Sequence, residues 1–224
     1  MSKITFFIDV DNTLLNNDLI KEQLKRSLIT VLGETEANHF WQHHDEFRAY
    51  QKLVDFPAIT RLYCSEQHHN TCELVVGNIF THIQFTQALY PQAIETLRHL
   101  RTIGTVSIFS EGDMVYQKMK IEKSGIAAAA DNTLLFTHKL DHLVKILHQY
   151  QDTQLVFIDD RDDKLQKIKQ QYPTVQTVVV CQGHYASNHC LIQHTADRVL
   201  GAIDDALQFT SATFSNIMPT KSIA

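Results

Sequence analysis

Four short runs, KITFFI (3–8), TVSIF (105–109), LVFI (155–158) and TVVVC (177–181), are dense in β-branched and aromatic residues. A strand with one wet face alternates apolar with polar residues, whereas a strand that is apolar on both sides lies inside a sheet covered on both faces, the condition of a parallel sheet. Between the runs lie segments of helical period. Ile94, Leu97, Leu100 and Ile103 recur at three-residue steps after Pro91, placed at a first helical position, and KLDHLVKILHQY (139–150) precedes LVFI. Strand and helix in alternation predict the α/β class, a doubly wound, Rossmann-like parallel sheet.

Residues 16–88 break the alternation. Ile20, Leu24, Leu28, Val31 and Leu32 form a helical stripe, further helix-like segments follow, and no strand pattern intervenes. The expected organisation is a core made of residues 1–15 and 89–210, an α-helical insertion at 16–88, and a C-terminal tail at 211–224. At 224 residues and 44% hydrophobic content, the chain can bury one sizeable core with such an addition. A formal charge of −5, with no long basic run, argues against nucleic acid or an anionic membrane surface as partner. No stretch has the length of a membrane span. Cys64, Cys72, Cys181 and Cys190 are few, and no signal-peptide pattern precedes them, so the expectation is a reduced, cytoplasmic protein.

The chemistry gathers where the strands end. The first run closes on Asp9, with Asp11 two residues on; the second closes on Ser110, and LVFI on Asp159 and Asp160. Ligands of open α/β sheets bind beyond the carboxyl ends of the strands, so these side chains are expected to converge, and Lys139, opening the helix before LVFI, is placed to join them. Crowded carboxylates of like charge repel unless something offsets them.

In order and setting, this set resembles the four motifs of the haloacid dehalogenase superfamily. Asp9, Asp11 and Thr13 match its Asp-x-Asp-x-Thr signature; Ser110 matches the second motif, Lys139 the third, and Asp159 with Asp160 the acidic fourth. LYPQAIETLRHLRTIG (89–104) is similar to the helix by which such proteins return from their cap, and GHYA (183–186) is similar to a segment of a bacterial subgroup. The fourth motif departs from the common pattern, offering Asp162 and Asp163 followed by Lys164. The resemblance implies a Mg²⁺-dependent phosphatase acting on a small phosphorylated metabolite through an aspartyl-phosphate. In that reading Asp9 is the nucleophile and Asp11 the acid and base. Lys139 has both a catalytic and a phosphate-binding role, with Ser110 and Thr13 also on the phosphate side; Asp9, Asp11 (through its backbone carbonyl), Asp160 and Asp159 hold the metal. A phosphomutase, or an idle binding protein on the same fold, is the alternative. Dehalogenases of the superfamily lack the second aspartate, so Asp11 counts against that activity.

The segment 16–88 then reads as a helical cap that excludes water and contacts substrate. Trp41, His43, His44, Arg48, Arg61 and Tyr63 are its candidates for facing the ligand. CSEQHHNTC (64–72) has the residue types of a zinc site, but structural zinc sites usually draw on two separated ligand pairs, and the favoured reading is a cap helix with Cys64, His68 and Cys72 on one apolar face.

Overall fold

The protein is described from a computed structural model, over residues 3–51, 54–67, 69–186, 191 and 194–214. Strands β1 (Ile4–Ile8), β2 (Thr105–Glu111), β3 (Asn132–Phe136), β4 (Gln154–Asp159), β5 (Gln176–Val180) and β6 (Arg198–Leu200) form one sheet in the order β3-β2-β1-β4-β5-β6. Every pairing is parallel. The fold is α/β, as the buried runs require. β1, β4 and β5 are buried nearly throughout, while the edge strand β3 has exposed and half-buried residues and β6 spans only three.

Helices α5 (Ala93–Ile103), α6 (Met114–Lys123), α7 (Ile126–Ala129), α8 (Leu143–Gln149) and α9 (Asp162–Gln171) flank the sheet, giving it a core on each face. Pro91 sits in a turn and does not open α5; Gln92, left-handed at φ 55°, stands between it and the first helical residue. Phe6 and Phe7 point to opposite faces of β1, as the two-residue period of a strand demands: Phe6 meets Phe214 at 5.5 Å between ring centroids, Phe7 stacks on Phe157 at 4.9 Å. Sequence patterning assigns 211–224 to a tail, yet Phe214 is fully buried against β1, so the packed chain extends at least that far. Residues 215–224 lie outside the described residues.

Helices α1 (Asn17–Leu32), α2 (Glu34–Gln51), α3 (Phe56–Glu66) and α4 (Cys72–Thr81) occupy the break in alternation. Asn16 caps α1 by accepting from Leu19 N at 2.9 Å, and Asp55 caps α3 from Ala58 N at 2.8 Å. The two crossings into the helical insert run side by side, with Asn16 N donating to Ala88 O (2.8 Å) and Tyr90 N to Leu14 O (3.0 Å). Cys64 and Cys72 do not share a helical face. α3 ends at Glu66, α4 begins at Cys72, and the two cysteines form a disulfide across the turn; Cys181 is disulfide-bonded as well. The expectation of reduced thiols is thereby corrected at these positions, and His68 lies outside the described residues. Among the described residues no helix is long and apolar enough to cross a membrane.

Gly183, in the segment after β5, adopts φ 70°, and a Cβ there would stand 2.6 Å from Asn12 Cβ and 2.8 Å from the Tyr90 hydroxyl. Both the backbone conformation and the close approach require glycine. Gly183→Ala should therefore cost at least about 2 kcal/mol in chemical denaturation, from left-handed strain plus overpacking. A change within experimental error would show that the Asn12 loop can give way.

Candidate active site

β1 lies at the switch in strand order, with β2 on one side and β4 on the other, and both β1 and β4 release acidic side chains at their carboxyl ends. Past Ile8 the chain turns on Val10, whose carbonyl accepts from the amides of Thr13, Leu14 and Leu15 (3.3, 2.9 and 2.9 Å). Asn12, at φ 61°, is the left-handed residue of this turn; its side chain holds Asn17 N at 3.0 Å, tying the loop to the start of α1.

Asp9, Asp159 and Asp160 are buried, and one carboxylate oxygen from each lies within 4.8 Å of the others. Lys139, also buried, donates to Asp9 Oδ1 at 2.6 Å, to Asp159 Oδ2 at 2.7 Å and to Phe109 O at 3.2 Å. Asp159 Oδ1 accepts from Arg161 N at 2.9 Å, so both oxygens of Asp159 are committed. Asp160 Oδ2 is buried and has no hydrogen-bond partner among the described residues.

The charges are unevenly compensated. Burial raises the Asp9 carboxyl to about 7, with Lys139 pulling it down and Asp159 adding to the rise. Asp160 is pushed up to about 9 by burial and by the charges of Asp159 and Asp9. Burial acts upward on Asp159 too, but Lys139 and Lys164 outweigh it and its carboxyl lies below the usual range. On Lys139 burial disfavours the charge, yet Asp159 and Asp9 prevail and hold the ammonium well above the ordinary lysine value. Lys139 is the ammonium in contact with these carboxylates, and Lys164 is itself paired with Glu111, so a deficit of positive charge remains, concentrated at Asp160. A hard divalent cation fits this donor set: the unpartnered Asp160 oxygen, with Asp9 beside it, supplies the anionic oxygens that Mg²⁺ prefers.

Asp11 lies apart from that cluster. It forms an ion pair with Lys120, a buried lysine of α6, and accepts from Gln117 Nε2 at 3.3 Å. The same Gln117 nitrogen donates to Ser110 Oγ at 2.8 Å, so Gln117 joins the end of β2 to the Asp11 loop. Asp113 sets this up by capping α6, accepting from Tyr116 N at 2.7 Å, which turns Gln117 and Lys120, three residues apart, toward one face. Thr13 is fully buried; its hydroxyl has no partner among the described residues, while its carbonyl accepts from Gln182 Nε2 at 2.6 Å. Gln182 in turn accepts from Ile203 N at 3.1 Å, bracing the loop from the far end of the chain.

Asp162 and Asp163 do not join the acidic cluster. Asp162 accepts from the amides of Thr195 and Ala196 (2.9 and 3.1 Å), and Asp163 binds Arg161 through Oδ1 and Oδ2 at 2.6 and 2.7 Å.

A cavity of about 210 Å³ opens over Asp9, Asp11 and Asp160, walled by both the sheet's loops and the helical insert. Ile20, Leu24 and Phe56 supply its apolar side. Ser110, Lys139, Asp159 and Thr13 lie behind this wall, not in it. Of the insert residues singled out by sequence, Arg48 reaches the cavity, with no ion pair among the described residues. Arg61 is exposed elsewhere, and Tyr63 is buried with its hydroxyl donating to Glu36 at 2.9 Å. Trp41 and His44 pack against each other at 4.6 Å between ring centroids, and burial lowers the His44 imidazole below its usual value.

The chain superposes on a protein described as a haloacid dehalogenase-like hydrolase from Burkholderia xenovorans LB400 with a TM-score of 0.83 and 29% identity, covering 93% of this chain and 99% of that one. Its fold is that of the haloacid dehalogenase-like hydrolases. L-2-haloacid dehalogenase from Xanthobacter autotrophicus shares the fold at TM-score 0.59 and 15% identity (92% and 97% covered). A haloacid dehalogenase-like family protein from Streptococcus pneumoniae does so at 0.57 and 16%, with the same coverage. No protein-family profile and no curated protein sequence matches the chain, so structure carries the likeness. The architecture is that of the superfamily's hydrolases.

Proposed function

We propose that the protein is a Mg²⁺-dependent phosphatase of a small phosphate ester. The observation that carries the reading is the Asp160 oxygen, buried and unpartnered, in reach of a buried Asp9. Asp9 and Asp160 would hold the ion, with Asp159 and Lys139 fixing their positions. Bound there, Mg²⁺ would offset the crowded carboxylates and the phosphoryl oxygens together.

Asp9 attacks phosphorus, forming the Oδ–P bond as the ester P–O bond breaks, and Asp11 gives its proton to the departing alkoxide. Water then forms a new P–O bond, the Asp9–phosphorus bond breaks, and Asp11 recovers a proton from that water. Its contacts with Lys120 and Gln117 hold Asp11 toward the cavity, between the leaving group of the first step and the water of the second. Ser110 Oγ, accepting from Gln117, keeps its own proton to donate. The cavity volume suits a compact ester, with Arg48 at its rim for a further anionic group.

Displacement of halide from carbon, the activity named for several structural neighbours, is the competing reading. It needs a nucleophile and a base for water but neither a cation nor a proton for the leaving group. The free Asp160 oxygen would then have no task. Assaying phosphate release across a panel of esters with Mg²⁺, and halide release from 2-chloropropionate with and without it, separates the two. Phosphate release that chelation stops and Mg²⁺ restores is expected. Halide release indifferent to chelation, without phosphate release, overturns the proposal.

A further inference from the structure

Away from the acidic cluster, His39 and His43 of α2 meet Glu66 at the end of α3. The two histidines are four residues apart and so lie on one helical face. His39 Nε2 is 3.1 Å and His43 Nε2 3.3 Å from the same Glu66 oxygen, and one ligand atom from each of the three falls within 4.8 Å of the others. Two ligands bonded at about 2.0–2.1 Å to a tetrahedral zinc stand about 3.3 Å apart, so these separations are those of groups around a common ion.

Hydrogen bonding does not account for the place of His43 in the cluster. His43 Nε2 is buried and makes no hydrogen bond among the described residues, although the carboxylate is near enough, so the ring nitrogen is not aimed along a bond to Glu66. A carboxylate stands on the far side of one ring. Glu36 Oε2, held by the Tyr63 hydroxyl (2.9 Å) and Gln67 Nε2 (3.1 Å), is 3.9 Å from His39 Nδ1, beyond hydrogen-bond distance but on the side from which a carboxylate orients a metal-bound imidazole. The Cys64–Cys72 disulfide pins the end of α3 to the start of α4, restricting the segment that carries Glu66. It also removes both thiolates as ligands, so a zinc site built on the cysteines is excluded at this place.

We infer that His39, His43 and Glu66 form a second metal site, selective for a borderline divalent ion such as Zn²⁺, with water completing the coordination. Two imidazoles and one carboxylate favour zinc over magnesium, whose ligands are oxygens. The ion would clamp α2 to α3, the helices that bring Arg48 and Phe56 to the cavity. The inference does not depend on the phosphatase reading.

The test uses the full chain, stripped with EDTA and kept free of reductant, with excess Mg²⁺ present to occupy the acidic cluster. Titration with Zn²⁺ against a chromogenic chelator should show one tight equivalent, and Co²⁺ should develop the intense visible bands of a tetrahedral ion. His43→Ala and Glu66→Gln should each weaken Zn²⁺ binding at least about a hundredfold, beyond the loss typical of a supporting partner. Glu66 is exposed, so its conservative variant should keep the fold; Glu66→Gln binding Zn²⁺ as tightly as wild type overturns the assignment. Independently of any variant, wild-type protein that binds no equivalent of Zn²⁺ and leaves Co²⁺ octahedral overturns it too.

Discussion

Asp9→Asn should reduce phosphate release by at least about a thousandfold while leaving the fold intact, because a carboxamide is neither an adequate nucleophile nor an anionic metal ligand. The side chains are nearly isosteric, and the site's framework is the β1–β4 pairing and the Val10 turn, which the substitution does not touch. Retention of more than about a tenth of wild-type turnover would remove Asp9 from the nucleophile's role. Stability gives a second readout. Burial raises the Asp9 carboxyl to about 7 in the folded protein, whereas in the unfolded chain it ionises near the ordinary value of 3.8. Between those two values the folded state holds a proton that the unfolded state has lost, so this group's contribution to stability falls as pH rises from about 4 to about 7. Asparagine has no such dependence. In cation-free buffer the melting temperature of Asp9→Asn should therefore gain on wild type across that window. Parallel curves would mean that Asp9 ionises equally easily in both states.

What the sequence makes legible follows burial. β1, β2, β4 and β5 could be read because inner strands carry dense apolar runs; β3 and β6 could not, since edge strands need fewer apolar residues and these have exposed positions. Asp9, Ser110, Asp159 and Asp160 were legible because each stands at or beside the carboxyl end of such a run, and Lys139 because it opens the helical segment that precedes LVFI. Gln117, Lys120 and Gln182 were not: they reach Asp11, Ser110 and Thr13 across folds of the chain that no local pattern encodes. Within the helical insert, polar aromatics and histidines point many ways. Composition could not tell that Arg48 faces the cavity while Tyr63 is committed to Glu36. Nor could four cysteines in 224 residues announce a disulfide, which depends on where α3 happens to stop.

The other large effect is expected at Lys139. Its ammonium is the shared counter-ion of Asp9 and Asp159, at 2.6 and 2.7 Å, and it is buried with them. Lys139→Met keeps the length and apolar body of the side chain but leaves two carboxylates facing each other without compensation. Breaking a buried pair in this way costs about 3–5 kcal/mol, and without divalent cation the variant should lose stability on that scale. Mg²⁺ binds through the same carboxylates, so saturating Mg²⁺ should recover part of the melting temperature, and more of it than the same ion adds to wild type. Turnover should not recover in step. The positive charge that Lys139 holds beside the nucleophile is common to every ester, so the loss should be of similar proportion across a substrate panel at a temperature where the variant is folded. Arg48→Ala should instead change the ranking of esters, since Arg48 lines the outer cavity and touches neither Asp9 nor Asp159. If Lys139→Met melted like wild type without cation, the two carboxylates would not depend on it. If it lost only some substrates, Lys139 would serve recognition and not the step that all esters share.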